Sequence, residues 1–409
     1  MNGSGGLHTR QRIVRKIFNF LISLLAIVLT VAISLSVIPA REVIQRVRYV
    51  WSDGGVETWE NAAIEEGIHS DIEEYYYDNL PEELREVYRE VYVHIMRNED
   101  EGPLYSSVNV DDFWKTYYAV LADHPEIFWM DMNAHVQESG ITKKVLSYQF
   151  ETTMPAESRV SMLQNIEDAA DACIDQIPAD ASDYEKIKYV YEYIIDLAEY
   201  DSTGVDNQNI QSVLLYHRSV CAGYAKTFQY ILNRMGMFCA YITGTIRDGG
   251  IHGWNMVRID GQYYYVDVTW GDPVFANQVD NRSDRVMNYN YLCCTESDLF
   301  KTHVPDGTVP LPSCTLDNYN YYIMNNKYYE DFDHDTIYNK VMESVWSGET
   351  SIVMKFGSDE AFEQAKYSLF EDGLLSDAGQ YLMDINGVNT WNYRYHTDEA
   401  FNLITIYWS

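Results

Sequence analysis

Within the stretch 219–273 stand the three side-chain types that thiol chemistry uses, in the order Cys221, His252, Asp267. They occur in the strings Ser-Val-Cys221-Ala-Gly-Tyr-Ala, Ile-His252-Gly-Trp-Asn and Tyr-Val-Asp267-Val-Thr-Trp-Gly-Asp-Pro. In such a set a thiolate attacks a carbonyl, an imidazole holds and later delivers the proton, and a carboxylate fixes the imidazole tautomer. Each residue alone has a plainer reading: a small buried hydrophobe, a sheet histidine, the end of a strand. Their order and the geometry of their elements favour joint use.

Those elements can be read from spacing. Cys221 opens a helical pattern, with Tyr224, Phe228, Ile231, Leu232 and Met235 three and four apart and Gly236 as the stop. A thiol in the first turn feels the positive end of the helix dipole, which favours the thiolate. Asp260-Gly261 is a type I′ turn signal between two β-rich runs, 252–259 and 262–270. With a two-residue loop, Ile259 faces Gln262, Trp254 faces Asp267, and His252 faces Thr269 while lying diagonal to Asp267 on one face. Diagonal neighbours are roughly 7–8 Å apart at the backbone, within reach of an imidazole–carboxylate bond. A three-residue loop would put the two side chains on opposite faces.

The strings Val-Cys221-x-Gly223-Tyr224-Ala225, His252-x-Trp254-Asn255 and Val-Asp267-Val-Thr269-Trp270 resemble the transglutaminase-like superfamily of papain-like cysteine enzymes. More narrowly they resemble its bacterial extracytoplasmic, membrane-anchored members, over about residues 182 to 273. The resemblance implies a papain-like α+β core with Cys221 as nucleophile, His252 as base and Asp267 as orienting acid. It implies no cofactor. Family members include acyl transferases, peptidases and domains that have lost activity.

The positioning framework extends well beyond these strings. The 409 residues carry a formal net charge of −33. Residues 1–50 hold seven Arg/Lys and one acid, so the remainder carries 22 basic against 61 acidic residues, a net of −39. Such a body has no basic face for nucleic acid. Arg10, Arg12, Arg15 and Lys16 precede 22 uncharged residues from Ile17 to Ile38, enough to cross a bilayer, which takes about 20 apolar residues. The chain is therefore expected to have a cytoplasmic tail (1–16), a single transmembrane helix (17–38), a stalk (39–58) and an extracytoplasmic body at the cell membrane. The body is expected to comprise an N-terminal helical region (59–154), the core (155–300), a linker (301–316) and a small C-terminal α/β domain (317–409).

Within the body, helices are expected over 81–97, 111–123 and 157–177, with a strand over 143–153. Ser182-Asp-Tyr-Glu185 forms a capping box for the next helix. His124, before Pro125, reads as a loop residue, and Asp123 to Trp129 as packing. Cys173 and Cys239 read as core, and adjacent Cys293-Cys294 are poorly placed to bond each other. No CxxC or HExxH points to a metal, and the acidic cluster 331–335 reads as a helix N-cap. Residues 303–314 contain three prolines and read as the linker. Beyond it, a helix at 336–346, a strand at 351–356, a helix at 359–369 and strands near 391–395 and 403–408 are expected.

The leading functional expectation is a thiol enzyme that cleaves or transfers the acyl group of an amide in a protein or cell-wall peptide. The backbone N–H of Cys221 is one oxyanion donor, and Gln211 is a second candidate. Tyr224, Trp254 and Trp270 are expected to line the cleft. The alternative is a non-catalytic peptide- or glycan-binding module on the same fold, consistent with 35 tyrosines and an acidic surface. The sequence leaves crosslinking against hydrolysis, and the oligomeric state, open.

Overall fold

The computed structural model describes residues 59–68, 73–247, 249–272, 287–386 and 392–408. The expected tail, anchor and stalk lie outside these residues. Among the described residues no helix is long and apolar enough to cross a membrane. The chain divides into two compact units between Met162 and Leu163, rather than at the expected 154/155.

The first unit is not purely helical. Helices α1 (Trp59–Glu65), α2 (Tyr75–Asn79), α3 (Glu82–Met96) and α4 (Val110–Asp123) are joined by an antiparallel sheet of β1 (Glu101–Pro103), β2 (Met130–Glu138) and β3 (Val145–Thr152), in the order β1-β3-β2. Strand β3 is the expected one. Strand β2 went unread because it buries only Met130 and Ala134, four residues apart, and so lacks a period-two apolar face. Helix α3 follows Pro81 and buries Leu84, Val87, Val91 and Ile95, as its spacing requires. Asn109 caps α4 by accepting from Asp112 N–H.

Asp123 ends α4 and His124 follows in the loop, as expected, and both are buried. Buried Asp123 accepts the N–H groups of Tyr76 and Tyr77, each at 2.9 Å, and the Tyr88 hydroxyl at 3.0 Å. Burial pushes its carboxyl up to about 7 against those donors. His124 is buried between Glu126 at 2.8 Å and Glu74 at 3.6 Å. Burial pulls this imidazole down, but the carboxylates outweigh it and raise its pKa.

Helix α5 (Ala156–Ile174) leads into the second unit, where α6 (Asp183–Leu197) starts at the expected Ser182/Glu185 capping box. Strand β4 (Glu199–Tyr200) pairs in parallel with β5 (Arg218–Ser219), and the short helix α7 (Ile210–Leu214) lies between them in sequence. Helix α8 (Cys221–Arg234) then runs into an antiparallel sheet of β6 (Cys239–Ile246), β7 (Ile251–Ile259), β8 (Gln262–Val266) and β9 (His303–Pro305), in the order β8-β7-β6-β9. Asp260 and Gly261 both have positive φ, 51° and 76°, and Ile259 pairs with Gln262, so the I′ hairpin has the expected register.

The hairpin departs from expectation in one respect. Strand β8 stops at Val266, and residues 268–271 form the one-turn helix α9 (Val268–Gly271), so Thr269 does not face His252 on a strand. The reason is local: the Asp267 side chain accepts from Trp270 N–H and caps the turn. A second correction concerns 301–316. Its start is strand β9 at the sheet edge, where Pro305 is tolerated because an edge strand leaves one row of backbone groups unpaired.

The C-terminal region has its own core but belongs to the same compact unit. After α10 (Glu296–Leu299), α11 (Tyr321–Met324) and β10 (Tyr328–Tyr329) come α12 (His334–Trp346), β11 (Ser351–Phe356), α13 (Asp359–Phe370), α14 (Leu374–Asn386), β12 (Tyr393–Asp398) and β13 (Leu403–Trp408). The sheet order is β10-β11-β13-β12, with Ile337, Met354, Phe362, Leu375 and Ile404 among its buried apolar residues. Asp333 caps α12, as the acidic cluster suggested. The region ties back to the core through Tyr322 OH, which donates to Asn290 Oδ1 at 2.9 Å, and through the Tyr291–Phe401 ring contact at 5.4 Å.

Helix α8 sits close to β5 and α7 only because residue 223 is glycine. A Cβ there would lie 1.9 Å from Ser219 Oγ and 2.9 Å from Ser212 Oγ, two hydroxyls that are themselves bonded at 2.7 Å. Overpacking of this kind typically costs about 1–3 kcal/mol. Gly223→Ala is expected to lower stability by that amount in urea titrations, and adding Ser219→Ala to recover part of it. Additive effects of the two changes would show that the two positions do not meet.

Candidate active site

Cys221 is the first residue of α8. Gly223 and Tyr224 N–H groups both point back to the Val220 carbonyl, so the N–H of Cys221 precedes the helix hydrogen-bond ladder. The thiol is partly exposed, whereas Cys173, Cys239, Cys293, Cys294 and Cys314 are buried, and all six are free. Burial pushes the thiols of Cys173 and Cys314 up to about 12, which keeps them inert at neutral pH.

The sheet brings the other groups to this helix end. Asn255 in β7, with no exposed surface, donates through Nδ2 to the Ala225 carbonyl at 2.9 Å and so fastens β7 to α8. His252 Nε2 lies 2.7 Å from Asp267 Oδ2, and both residues are buried. A hydrogen bond to the Cys221 thiol is among the influences on the His252 ring. Burial pulls the imidazole down, but Asp267 and Cys221 outweigh it and push its pKa up to about 10. Burial likewise pushes the Asp267 carboxyl up, yet the bonds from His252 and His303 hold it well below the usual carboxylate range.

His303 was not anticipated. It is buried, its Nε2 is 2.9 Å from the same Asp267 Oδ2, and its ring centroid lies 5.1 Å from that of His252. The prolines that marked 303–314 as a linker concealed it.

The other expected site residues fall in different places. Tyr224 and Trp254 have no exposed surface, so they support the site from beneath rather than line a cleft. Tyr224 OH donates to buried Asp272 Oδ2 at 3.1 Å, and the Trp254 ring packs on His252 and His303. Trp270 is partly exposed and meets the His252 ring edge-on at 6.4 Å, a position that can face a ligand. Gln211 is buried, and its Nε2 donates one of its two hydrogens to Tyr216 OH at 2.6 Å, which leaves one for another acceptor. Lys226, also unforeseen, places its ammonium 5.7 Å from the Tyr241 ring centroid, and burial pulls its pKa down to about 8.

His252, Asp267 and His303 are the one trio among the described residues whose ligand atoms all lie within 4.8 Å of one another. Their N···O separations, 2.7 and 2.9 Å, are those of hydrogen bonds. Two ligands on a tetrahedral zinc ion, each bonded at about 2.0–2.2 Å, stand roughly 3.3 Å apart. The trio fits a hydrogen-bonded array better than a metal centre.

Cys221, His252 and Asp267 thus come together as a thiol at a helix start, an imidazole bonded to it and a buried carboxylate behind the imidazole. Residues 171–268 match the transglutaminase-like superfamily. The chain is 23% identical over 142 residues to kyphoscoliosis peptidase of Homo sapiens, an alignment covering 31% of this chain and 21% of that protein. The Mus musculus protein of the same name aligns with the same identity and coverage. The chain thus spans about a fifth of the length of these relatives. A crystal structure of a TGase is similar with a TM-score of 0.25 and 14% identity, over 39% of this chain and 47% of that one. Residues 171–268 are thus a transglutaminase-like core, and the mixed helix and sheet content is that of an α+β protein.

The ionisation of the buried pair sets a pH dependence. Asp267, held below its unfolded value of about 3.9, contributes stability above that pH and loses it as pH falls. His252, raised to about 10, contributes fully below its unfolded value of about 6.5 and loses the contribution as pH climbs towards 10. Thermal melts from pH 4 to 10 should therefore show a stability difference between wild type and Asp267→Asn that is largest between about pH 4 and 6.5. A difference that stays constant to pH 10 would contradict the raised imidazole.

Proposed function

We propose that this protein is a membrane-tethered, extracytoplasmic cysteine enzyme of transglutaminase-like type, acting on an amide of a protein or cell-wall peptide. The observation that carries the reading is the partly exposed Cys221 thiol bonded to an imidazole that is itself bonded to a buried carboxylate. A binding module gives no reason to bury a carboxylate behind an imidazole at the one partly exposed thiol of the described residues.

In this mechanism the Cys221 sulfur attacks the amide carbonyl carbon while its proton resides on His252. The tetrahedral oxyanion forms near the helix start, where the Cys221 N–H can donate to it. The C–N bond then breaks, His252 gives its proton to the leaving amine, and a thioester remains on Cys221. Attack by water yields a carboxylic acid, and attack by an amine yields a new amide. Either nucleophile loses its proton to His252, and the thiol is regenerated. The uncharged, apolar stretch 17–38 of the sequence and the acidic body of net −39 support an extracytoplasmic location, since such a body is repelled by an anionic membrane surface.

Iodoacetamide kinetics test the thiol directly. Cys221 is expected to react at pH 6 about tenfold or more faster than free cysteine, whose thiolate fraction is small there, and His252→Ala to abolish the excess. Cells lacking the protein should be complemented by wild type and not by Cys221→Ala. Equal complementation by both would sink the enzyme reading and favour the binding module.

A further inference from the structure

Asp267 Oδ2 lies within bonding distance of two imidazole nitrogens, His252 Nε2 at 2.7 Å and His303 Nε2 at 2.9 Å. An ionised carboxylate only accepts hydrogen bonds, so each Nε2 must present a hydrogen to it. This places a hydrogen on both Nε2 atoms. For His252 it leaves Nδ1 as the nitrogen that serves Cys221. For His303 it directs Nδ1 away from the site, where Thr302 Oγ1 lies 2.8 Å off and can donate to it. The Leu299 carbonyl is 3.2 Å from the same Nδ1.

The carboxylate is held from both sides. Oδ1 accepts Trp270 N–H at 3.1 Å, and Oδ2 accepts the two imidazoles. With Trp270 and His252 as its only donors, one on each oxygen, the plane of the carboxylate could rock about the Cβ–Cγ bond. The third donor restrains that rocking. Its own ring cannot drift, because Trp254, Trp270 and Tyr291 surround it at centroid distances of 5.1, 5.3 and 5.6 Å.

We infer that His303 is a positioning residue of this site: its Nε2–H locks the Asp267 carboxylate so that Oδ2 stays aimed at His252 and Nδ1 of His252 stays aimed at Cys221. The inference rests on the reading of Cys221, His252 and Asp267 as the working set. Strand β9, and not a linker, is thus part of the active-site framework, paired to β6 with Ile246 opposite His303.

The test compares His303→Leu, which fills the space without a donor, with His303→Gln, whose Nε2–H can reach Oδ2. Both are made in the full chain with histidine ring nitrogens labelled. The first readout is the downfield proton of the His252 Nε2–H, assigned by its loss in His252→Gln. The second is the pH profile of Cys221 alkylation by iodoacetamide. His303→Leu is expected to speed solvent exchange of the His252 proton at least tenfold and to slow alkylation at pH 6 by about tenfold, the lower end for loss of a residue that orients a working group. His303→Gln is expected to stay within about threefold of wild type on both.

Unchanged exchange and alkylation in His303→Leu would overturn the inference, as would equal losses in Leu and Gln variants, which would mark a packing role. If His303→Leu does not fold, His303→Asn, one carbon too short to reach Oδ2, replaces it in the comparison. A wild-type Cys221 no faster than free cysteine would defeat the proposed function, while the His252 proton would still decide whether His303 locks Asp267.

Discussion

The carboxylate of Asp267 is the constraint around which the second unit is arranged. It has no exposed surface, and stripping water from an ionised carboxylate costs several kcal/mol even after relaxation. Two imidazole N–H groups and one backbone N–H offset that cost. Each donor comes from a different piece of backbone: the middle strand β7, the edge strand β9 and the one-turn helix α9. The four-stranded sheet needs its hairpin register, its edge and its abrupt end at Val266 for these donors to meet at one acid.

The opposite displacements of Asp267 and His252 follow from that meeting. Burial alone would neutralise both groups, raising the acid and lowering the base. Their contact reverses both shifts, so the pair keeps its charges where water is excluded. The Cys221 thiol joins from α8, which Asn255 fastens to β7 and which Gly223 allows to approach Ser219. The five other cysteines lie in the interior, so the chemistry of this chain's sulfur is concentrated at one partly exposed position.

Much of this was legible because it is encoded locally. The period of α8, the Asp260-Gly261 turn and the two-residue parity of the hairpin place His252 and Asp267 on one side without any long-range knowledge, and the observed register agrees. The end of β8 was missed because the capping propensity of Asp267 competed with strand propensity in Val-Thr-Trp, and the cap prevailed. Strand β2 was missed for want of alternation. Aromatic residues near the motifs were read as cleft lining, yet Trp254 and Tyr224 are buried under the site, since large rings serve packing first. His303 lay beyond local reasoning altogether: it is separated by 36 residues from Asp267, and its strand has three residues and a proline.

That two imidazoles share one carboxylate oxygen imposes a division of labour between them. Both rings present Nε2 to Asp267, so they differ only in what Nδ1 meets. The Nδ1 of His303 is taken up by Thr302 Oγ1 and the Leu299 carbonyl, away from Cys221. The Nδ1 of His252 is the nitrogen left for the thiol at the partly exposed end of α8. In the proposed mechanism a proton leaving Cys221 therefore has one imidazole to take it and later return it to a leaving group. His303 holds the same acid from the interior side without opening a second route. Two histidines of equal chemistry are thus made unequal by their third neighbours, and this inequality gives the site its direction.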